Sequence, residues 1–200
     1  MKVILVRPAY DDMSQKMSAW AEQAKPRIDA VEDLEGPAVT EENLRTSLQK
    51  RPNVRLVAFY GHGWPESLLT LGSDGTERPL VHVTGPGILP QEFAGRNLYA
   101  VACNSAVDLG PALFNSGCPF VGYEKEILLP AGFEAEFGTV VNDGLISWAY
   151  DEKTSAEIGE QLGARWRALS DHISETAGNR KYLWAGAMAA LWNADKVRAY

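Results

Sequence analysis

The chain has 200 residues, of which 46% are hydrophobic and 22% are charged, and these proportions are typical of one globular domain covering residues 1–200. Its 19 Lys and Arg against 26 Asp and Glu give a formal net charge of −7, which argues against nucleic acid or an anionic membrane as the partner because both attract clustered basic side chains. The sequence contains no run of about 18 apolar residues, which is the length needed to span a bilayer. The amino-terminal segment lacks the small-residue cleavage site of a signal peptide.

Short apolar runs alternate with segments of helical periodicity along the whole chain. Most runs are continuous, which indicates strands buried on both faces, as in a parallel sheet covered by helices. In chain order the predicted elements are a strand at 3–6, a helix at 11–25, a loop at 27–39, a helix from 40, a strand at 54–60, a hairpin at 68–71 and 80–83, a strand at 98–103, a helix at 105–115, a strand at 118–123, and helices at 133–148, 154–173 and 182–192. Strands separated by helices predict an α/β fold, and we expect a three-layer α/β/α sandwich with a mostly parallel central sheet.

Three segments stand out from the others: one has a clear helix start, one has the weakest pattern and one is unusually apolar. Thr154 and Glu157 have the spacing of a capping box, which predicts the start of a helix. Residues 27–39 have the weakest pattern, so we expect a mobile loop there. The helix at 182–192 is apolar almost all round, and we expect it to be buried or to contact a partner.

Two reactive side chains lie at the ends of predicted strands. The strand at 54–60 leads into His62, and the strand at 98–103 ends on Cys103. Functional groups in open α/β sheets gather beyond the carboxyl ends of the strands, and right-handed crossovers put these two ends at one edge. We therefore expect the imidazole and the thiol to lie within hydrogen-bonding reach.

This pairing has a direct chemical use. An adjacent imidazole can take the proton of a thiol and make it nucleophilic, and the N-terminus of a helix after Cys103 would stabilise the thiolate. The backbone N–H groups of Gly63 and Cys103 could then bind the oxyanion of a tetrahedral intermediate. The alternative interpretation is that Cys103 is a small buried hydrophobic residue and that His62 is a turn residue between two glycines.

The local sequences around both residues resemble the sites of a known superfamily. His62 lies in the stretch LVAFYGHG and Cys103 in the stretch LYAVACNSA, and the two residues are 41 positions apart. These stretches are similar to the His-Gly and Ala-Cys sites of the caspase-like (clan CD) cysteine peptidases, which include caspases, metacaspases, gingipains, separases and bacterial CHAT domains. In element order the resemblance covers residues 3–173.

The resemblance implies a cysteine endopeptidase that forms a thioester acyl-enzyme and needs no metal or organic cofactor. It implies that Cys103 is the nucleophile, that His62 is the general base and acid, and that Gly63 provides one N–H of the oxyanion hole. The sequence also departs from the family. Val101 stands where caspases have Gln and metacaspases have an acidic residue, and Asn104 with Ser105 replaces the Arg-Gly of caspases.

Four residues are candidates for the S1 pocket, which binds the substrate side chain before the cleaved bond. Glu124 and Glu126 follow the strand at 118–123, and in the caspase-like fold that strand end lines S1, so either carboxylate would pair with a basic P1 residue. Arg7 ends the first strand, where caspases hold an arginine that binds a P1 aspartate, and Trp64 would form an apolar wall. We favour a basic P1 residue; the alternative for each candidate is a solvated charge or ordinary packing.

The remaining histidines and the second cysteine have structural interpretations. We expect His82 to be a satisfied core or edge histidine, His172 to be exposed and Cys118 to be structural. The histidines and cysteines have no metal-ligand spacing, and the TGPG sequence at 84–87 is expected to be a turn without a phosphate site. Two cysteines are too few for a disulfide scaffold and fit a reducing cytoplasm.

Two other functions remain open at the level of sequence. One is a catalytically silent caspase-like scaffold that binds protein partners, and the other is a different cysteine hydrolase or amidotransferase on an α/β sheet, in which the His normally follows the Cys. For the peptidase we expect a protein or peptide substrate and control by an activating partner or by self-association, with the contact on the helix at 182–192. The short length agrees with a bare effector domain, alone or excised from a longer chain, in a multi-component bacterial system.

Overall fold

Nine strands and six α-helices make up the protein in the computed structural model, which describes residues 1–178 and 180–200. In chain order the strands are β1 (Lys2–Arg7), β2 (Asp29–Glu35), β3 (Leu56–Tyr60), β4 (Gly63–Trp64), β5 (Ser67–Leu71), β6 (Glu77–His82), β7 (Asn97–Val101), β8 (Phe120–Tyr123) and β9 (Val197–Ala199). The helices are α1 (Asp12–Ala24), α2 (Glu41–Lys50), α3 (Leu109–Asn115), α4 (Glu134–Tyr150), α5 (Ser155–Ala177) and α6 (Lys181–Lys196).

Six of the strands form the central sheet, in the order β2-β1-β3-β7-β8-β9. Every neighbouring pair is parallel except β8 and β9, which are antiparallel. The predicted hairpin is confirmed, since β5 and β6 are antiparallel, and β4 joins them as a third strand of a small separate sheet. The structure therefore confirms the predicted α/β fold with a mostly parallel sheet.

Both faces of the central sheet bury apolar side chains, in two separate clusters. On β1, Val3 and Leu5 belong to a cluster with residues of α1, α4, α5 and α6. Ile4 and Val6 point to the other side and belong to a cluster with residues of α2, α3 and the small sheet. Because successive side chains of a strand alternate between the faces, a strand between two cores has to be continuously apolar, as the sequence is here.

Three helices begin at residues whose side chains cap them. Asp11 caps α1, Thr40 caps α2, and Thr154 caps α5 in a complete capping box with Glu157. In the described part of the chain, no helix combines the length and the apolar character needed to cross a bilayer.

The expectation of a mobile loop at 27–39 is wrong, because most of this segment is strand β2. The strand pairs in parallel with β1 at the edge of the sheet. Its pattern is weak because four of its seven residues are acidic and do not alternate regularly with the apolar ones, and basic side chains bind several of those acids. Arg7 and Lys25 bind Asp33, and Arg51 binds Glu32. Backbone pairing and ion pairs thus stabilise a strand that hydrophobic periodicity does not reveal.

The predicted helix at 105–115 begins four residues later than expected, at Leu109. Asn104 has a φ of +56°, a left-handed conformation that Asn tolerates better than most residues and that turns the chain away from a helix. The N–H of Ala106 then donates to the Tyr123 carbonyl of β8, and the Ser105 hydroxyl donates to the Ala102 carbonyl. The turn after Cys103 is therefore bonded to the neighbouring strand and not to a helix.

Candidate active site

The pairing of β3 with β7 brings the His62 and Cys103 segments together. Tyr60 is directly opposite Val101 in this pair, so His62 and Cys103 each lie two residues beyond the same rung of the sheet. The N–H of Gly61 donates to the Val101 carbonyl at 3.1 Å, which continues the pairing past the end of β3. The expectation that both residues lie at one edge of the sheet is therefore confirmed.

Gly63 lies directly against the backbone of Cys103. A Cβ atom at position 63 would come within 2.6 Å of the Cys103 carbonyl oxygen and 3.0 Å of the Ala102 Cβ. Any side chain at this position would push the two segments apart, so glycine is required for the close approach. The contact puts the backbone of Gly63 beside that of Cys103, the two residues predicted to form the oxyanion hole.

The Cys103 thiol is half-buried and is held by the segment that follows β8. Its Sγ accepts a hydrogen bond from the N–H of Ile127 at 3.3 Å. The next residue, Asn104, donates its N–H to the Lys125 carbonyl at 3.2 Å. The segment 125–127, which we call the thiol loop, therefore lies beside the thiol and fixes its position.

The surroundings of Cys103 favour the protonated thiol. Burial raises its pKa, and the nearby carboxylate of Glu126 raises it further, while the Ile127 amide lowers it. The expectation that a helix N-terminus stabilises the thiolate is wrong, because α3 begins six residues after Cys103. Cys103 would therefore need a base to remove its proton before it could act as a nucleophile.

The His62 imidazole is oriented by residues of the segment between β1 and α1. Its Nε2 lies 2.8 Å from Oδ2 and 3.1 Å from Oδ1 of Asp11, and its ring centroid lies 5.6 Å from that of Tyr10. In the part of the chain that the structure describes, no hydrogen bond joins His62 to Cys103. The predicted direct hydrogen bond is thus not formed, and Nδ1 is the ring nitrogen left for proton transfer. Catalytic hydrogen bonds often form only when substrate binds.

Asp11 is a candidate site residue that the sequence did not reveal. Hydrogen bonds from the N–H and hydroxyl of Ser14 and from His62 hold its pKa below the usual range, although partial burial raises it. The carboxylate is therefore ionised at neutral pH and suited to stabilise an imidazolium. The Asp-x-x-Ser spacing signals only a helix cap, and the proximity to His62 comes from the tertiary fold.

Of the four S1 candidates, Arg7 and Glu124 are already engaged by other charged side chains. Arg7 is only 3% exposed, and its guanidinium binds Asp33, Glu22 and Glu35. The carboxylate of Glu124 pairs with Arg198 at 2.6 Å and with Lys196 at 3.7 Å. Neither side chain has its charge free to bind a substrate, so we leave both out of the proposed pocket.

Glu126 and Trp64 keep the exposure that a substrate contact requires. Glu126 is exposed beside Cys103, and its side chain forms no ion pair among the residues that the structure describes. The indole of Trp64, on β4, is 46% exposed. The carboxylate of Glu126 and the indole of Trp64 are therefore the two S1 candidates that we retain.

The other singled-out residues have local roles. His82 accepts hydrogen bonds from the N–H groups of Thr84 and Gly85 through Nδ1, and His172 is exposed, as expected. Cys118 is fully buried, and this burial raises its pKa to about 12.

Three side chains bring carboxylate oxygens and an imidazole nitrogen, which are atoms that bind metal ions, close together. Asp11, His62 and Glu77 place one such atom each within 4.8 Å of one another. Sequence spacing did not reveal this group because its members come from three separate elements. Ser14 hydrogen-bonds the Asp11 carboxylate and the Tyr10 hydroxyl donates to Glu77, so these contacts already account for both acids. We interpret the group as the framework that orients His62.

Neither a scan against protein-family models nor a search of curated proteins found a match to this chain. What the site can do therefore follows from its own geometry. A thiol, an imidazole backed by a carboxylate, and two backbone segments in contact are the groups that nucleophilic acyl transfer requires.

Proposed function

We propose that the protein is a cysteine endopeptidase with a three-layer, caspase-like fold, in which Cys103 is the nucleophile and His62 the general base and acid. The observation that carries this proposal is the placement of His62 and Cys103 two residues beyond the Tyr60–Val101 rung, with Gly63 packed on the Cys103 carbonyl. Two free thiols suit a cytoplasmic protein, which is where we place it.

The first half of the reaction forms the acyl-enzyme. His62 takes the proton of the Cys103 thiol, and Sγ attacks the peptide carbonyl carbon to form a tetrahedral oxyanion, which the N–H groups of Gly63 and Cys103 stabilise. The imidazolium, stabilised by the Asp11 carboxylate, then gives its proton to the departing amine. The C–N bond breaks, and a thioester joins the substrate acyl group to Cys103.

The second half releases the acyl group. His62 takes a proton from water, and the resulting hydroxide attacks the thioester carbon. The C–S bond breaks, the imidazolium returns its proton to the sulfur, and the carboxylic acid product leaves. All proton transfers use one imidazole, so its orientation by Asp11 serves both halves.

A peptide chloromethyl ketone tests the proposal directly, because it alkylates an activated thiol only when the peptide occupies the cleft. We expect mass spectrometry to find one adduct, on Cys103, with none on Cys118. A positional library of fluorogenic peptides measures cleavage in parallel. Absence of both an adduct and cleavage would overturn the proposal.

A second function is supported by a specific observation. His62 is turned toward Asp11, and the environment of Cys103 favours the thiol, which is the state expected of a catalytically silent scaffold. In that case the chloromethyl ketone would react with Cys103 no faster than iodoacetamide does at the same pH. The same labelling experiment therefore separates the two functions.

Glu126 is expected to determine a preference for Arg or Lys at P1. A charge-assisted hydrogen bond from the basic side chain to an exposed carboxylate favours that side chain by about 1.5 kcal/mol, which is about tenfold in kcat/KM. We expect Glu126→Gln to lower the ratio of kcat/KM for Arg over norleucine substrates by that factor. The ratio removes the effect of the changed Cys103 pKa, because that effect acts on both substrates.

Glu124→Gln is the matched control for this substitution. Its carboxylate is held by Arg198 and Lys196, so we expect the Arg to norleucine ratio to stay within about twofold of the wild type. A wild-type preference for Asp at P1 would contradict the role of Glu126.

A further inference from the structure

Helix α6 has one face against the protein and one open face. Most of its small residues face inward, and Ala187, Ala190 and Ala194 are almost fully buried. Large apolar side chains lie on the opposite face, and Met188 there is 62% exposed. The exposed members of this face are Lys181, Trp184, Ala185, Met188, Leu191, Trp192 and Asp195, and we call them the α6 stripe.

The α6 stripe is symmetric about its central residue. Counted from Met188, Trp184 and Trp192 lie four residues away in opposite directions, and Ala185 and Leu191 lie three residues away. All of these positions recur at intervals of three and four residues, which places them on one face of the helix.

The symmetry extends to charge. Lys181 and Asp195 lie seven residues from Met188 on opposite sides, and both are exposed. The Asp195 carboxylate also lies 3.6 Å from the Arg167 guanidinium of its own chain, in an exposed pair that leaves a carboxylate oxygen open to a second cation. In an antiparallel pair of α6 helices related by a two-fold axis at Met188, the Lys181 of each copy therefore lies opposite the Asp195 of the other. In a parallel pair, Lys181 would lie opposite Lys181 and Asp195 opposite Asp195, so like charges would meet.

We infer that the α6 stripe binds a second copy of this chain, with the two α6 helices antiparallel about a two-fold axis at Met188. In that arrangement Trp184 of each copy meets Trp192 of the other, and the small Ala185 faces the larger Leu191. A two-fold interface makes every contact twice. Each copy therefore buries two Trp side chains, and the interface contains two ion pairs in all.

The inferred interface lies on the helix that also holds the segment around the thiol loop. The Trp192 indole N–H donates to the Glu126 carbonyl at 2.9 Å, and the Asn193 amide exchanges two hydrogen bonds of 2.9 Å with the backbone of Leu128. The inference itself does not depend on the proposed peptidase activity, because its test measures only the association state.

Sedimentation velocity of the full chain up to about 100 μM tests the inference. We expect wild type to approach twice its chain mass of 21.9 kDa as concentration rises, and Met188→Arg to remain monomeric because two arginines would meet on the axis. Phe114→Arg is the matched control, since Phe114 is equally apolar, 53% exposed and on α3, and it should leave the dimer intact.

A charge exchange tests the antiparallel register. Lys181→Glu or Asp195→Lys alone should weaken the dimer by about tenfold, because each places like charges opposite each other at two symmetric sites. The double variant restores opposite charges and should recover most of the lost affinity. Circular dichroism verifies that each variant is folded. A monomeric wild type, a dimer that survives Met188→Arg, or a double variant no tighter than the single ones would overturn the inference.

Discussion

Replacing Cys103 by Ala is expected to abolish peptide cleavage, lowering kcat/KM by at least about 10⁴-fold. No other group of the site can form the acyl-enzyme, and loss of a nucleophile or its base commonly costs this much or more. The measurement is hydrolysis of the best fluorogenic peptide from the positional library. Since Sγ accepts a weak hydrogen bond from the Ile127 N–H, whose loss costs little, we expect the fold to be retained.

Cys118→Ala is the matched control for the nucleophile. Cys118 is completely buried on the other side of the sheet, so its truncation leaves a small cavity that costs about 1 kcal/mol of stability and leaves kcat/KM unchanged within about twofold. Cleavage that persists in Cys103→Ala, or that is lost in Cys118→Ala with the fold intact, would contradict the assignment.

His62→Ala should be nearly as damaging as Cys103→Ala, and the double variant should be no worse than either. When two residues serve the same proton transfer, removing either one already prevents it, so the losses in kcat/KM caused by the two substitutions do not add. Additive losses would mean that the two residues act independently, which the proposed mechanism does not allow.

The core of the fold was predictable because its determinants are local in sequence. The strands β1, β3, β7 and β8 are buried on both faces, so their runs are continuously apolar, and Asp11, Thr40 and Thr154 mark helix starts by their capping chemistry. The edge strand β2 was missed because Arg7, Lys25 and Arg51 neutralise its acids from other elements.

The positions of His62 and Cys103 followed from topology, but their partners did not. Adjacent parallel strands place their ends at one edge, so the proximity of the two segments was implied by the order of elements. Which charge reaches which residue depends on packing between distant segments. Asp11 reaches His62 across 51 positions, and Glu124 is neutralised by Arg198 across 74. No local pattern encodes such contacts.

Asp11→Asn is expected to lower kcat by at least about tenfold and to leave KM nearly unchanged. The substitution removes the negative charge that stabilises the imidazolium of His62, and general acid–base catalysis contributes about 10²–10⁴-fold to rates. Asn caps helices as well as Asp does, so the free energy of unfolding should change by less than about 0.5 kcal/mol. Steady-state kinetics and chemical denaturation measure the two effects separately.

Ser14→Ala separates the capping role of Asp11 from its proposed role in orienting His62. The Ser14 hydroxyl bonds the N–H groups of Tyr10 and Asp11, and its loss should cost about 1–2 kcal/mol of unfolding free energy. The Ser14 N–H still holds the Asp11 carboxylate beside His62, so kcat should stay within about twofold. If Asp11→Asn instead lowered stability as much as Ser14→Ala and left kcat intact, Asp11 would be a helix cap without a part in orienting His62. A fall in kcat restricted to Asp11→Asn would show that the acid after the first strand completes the Cys103–His62 site.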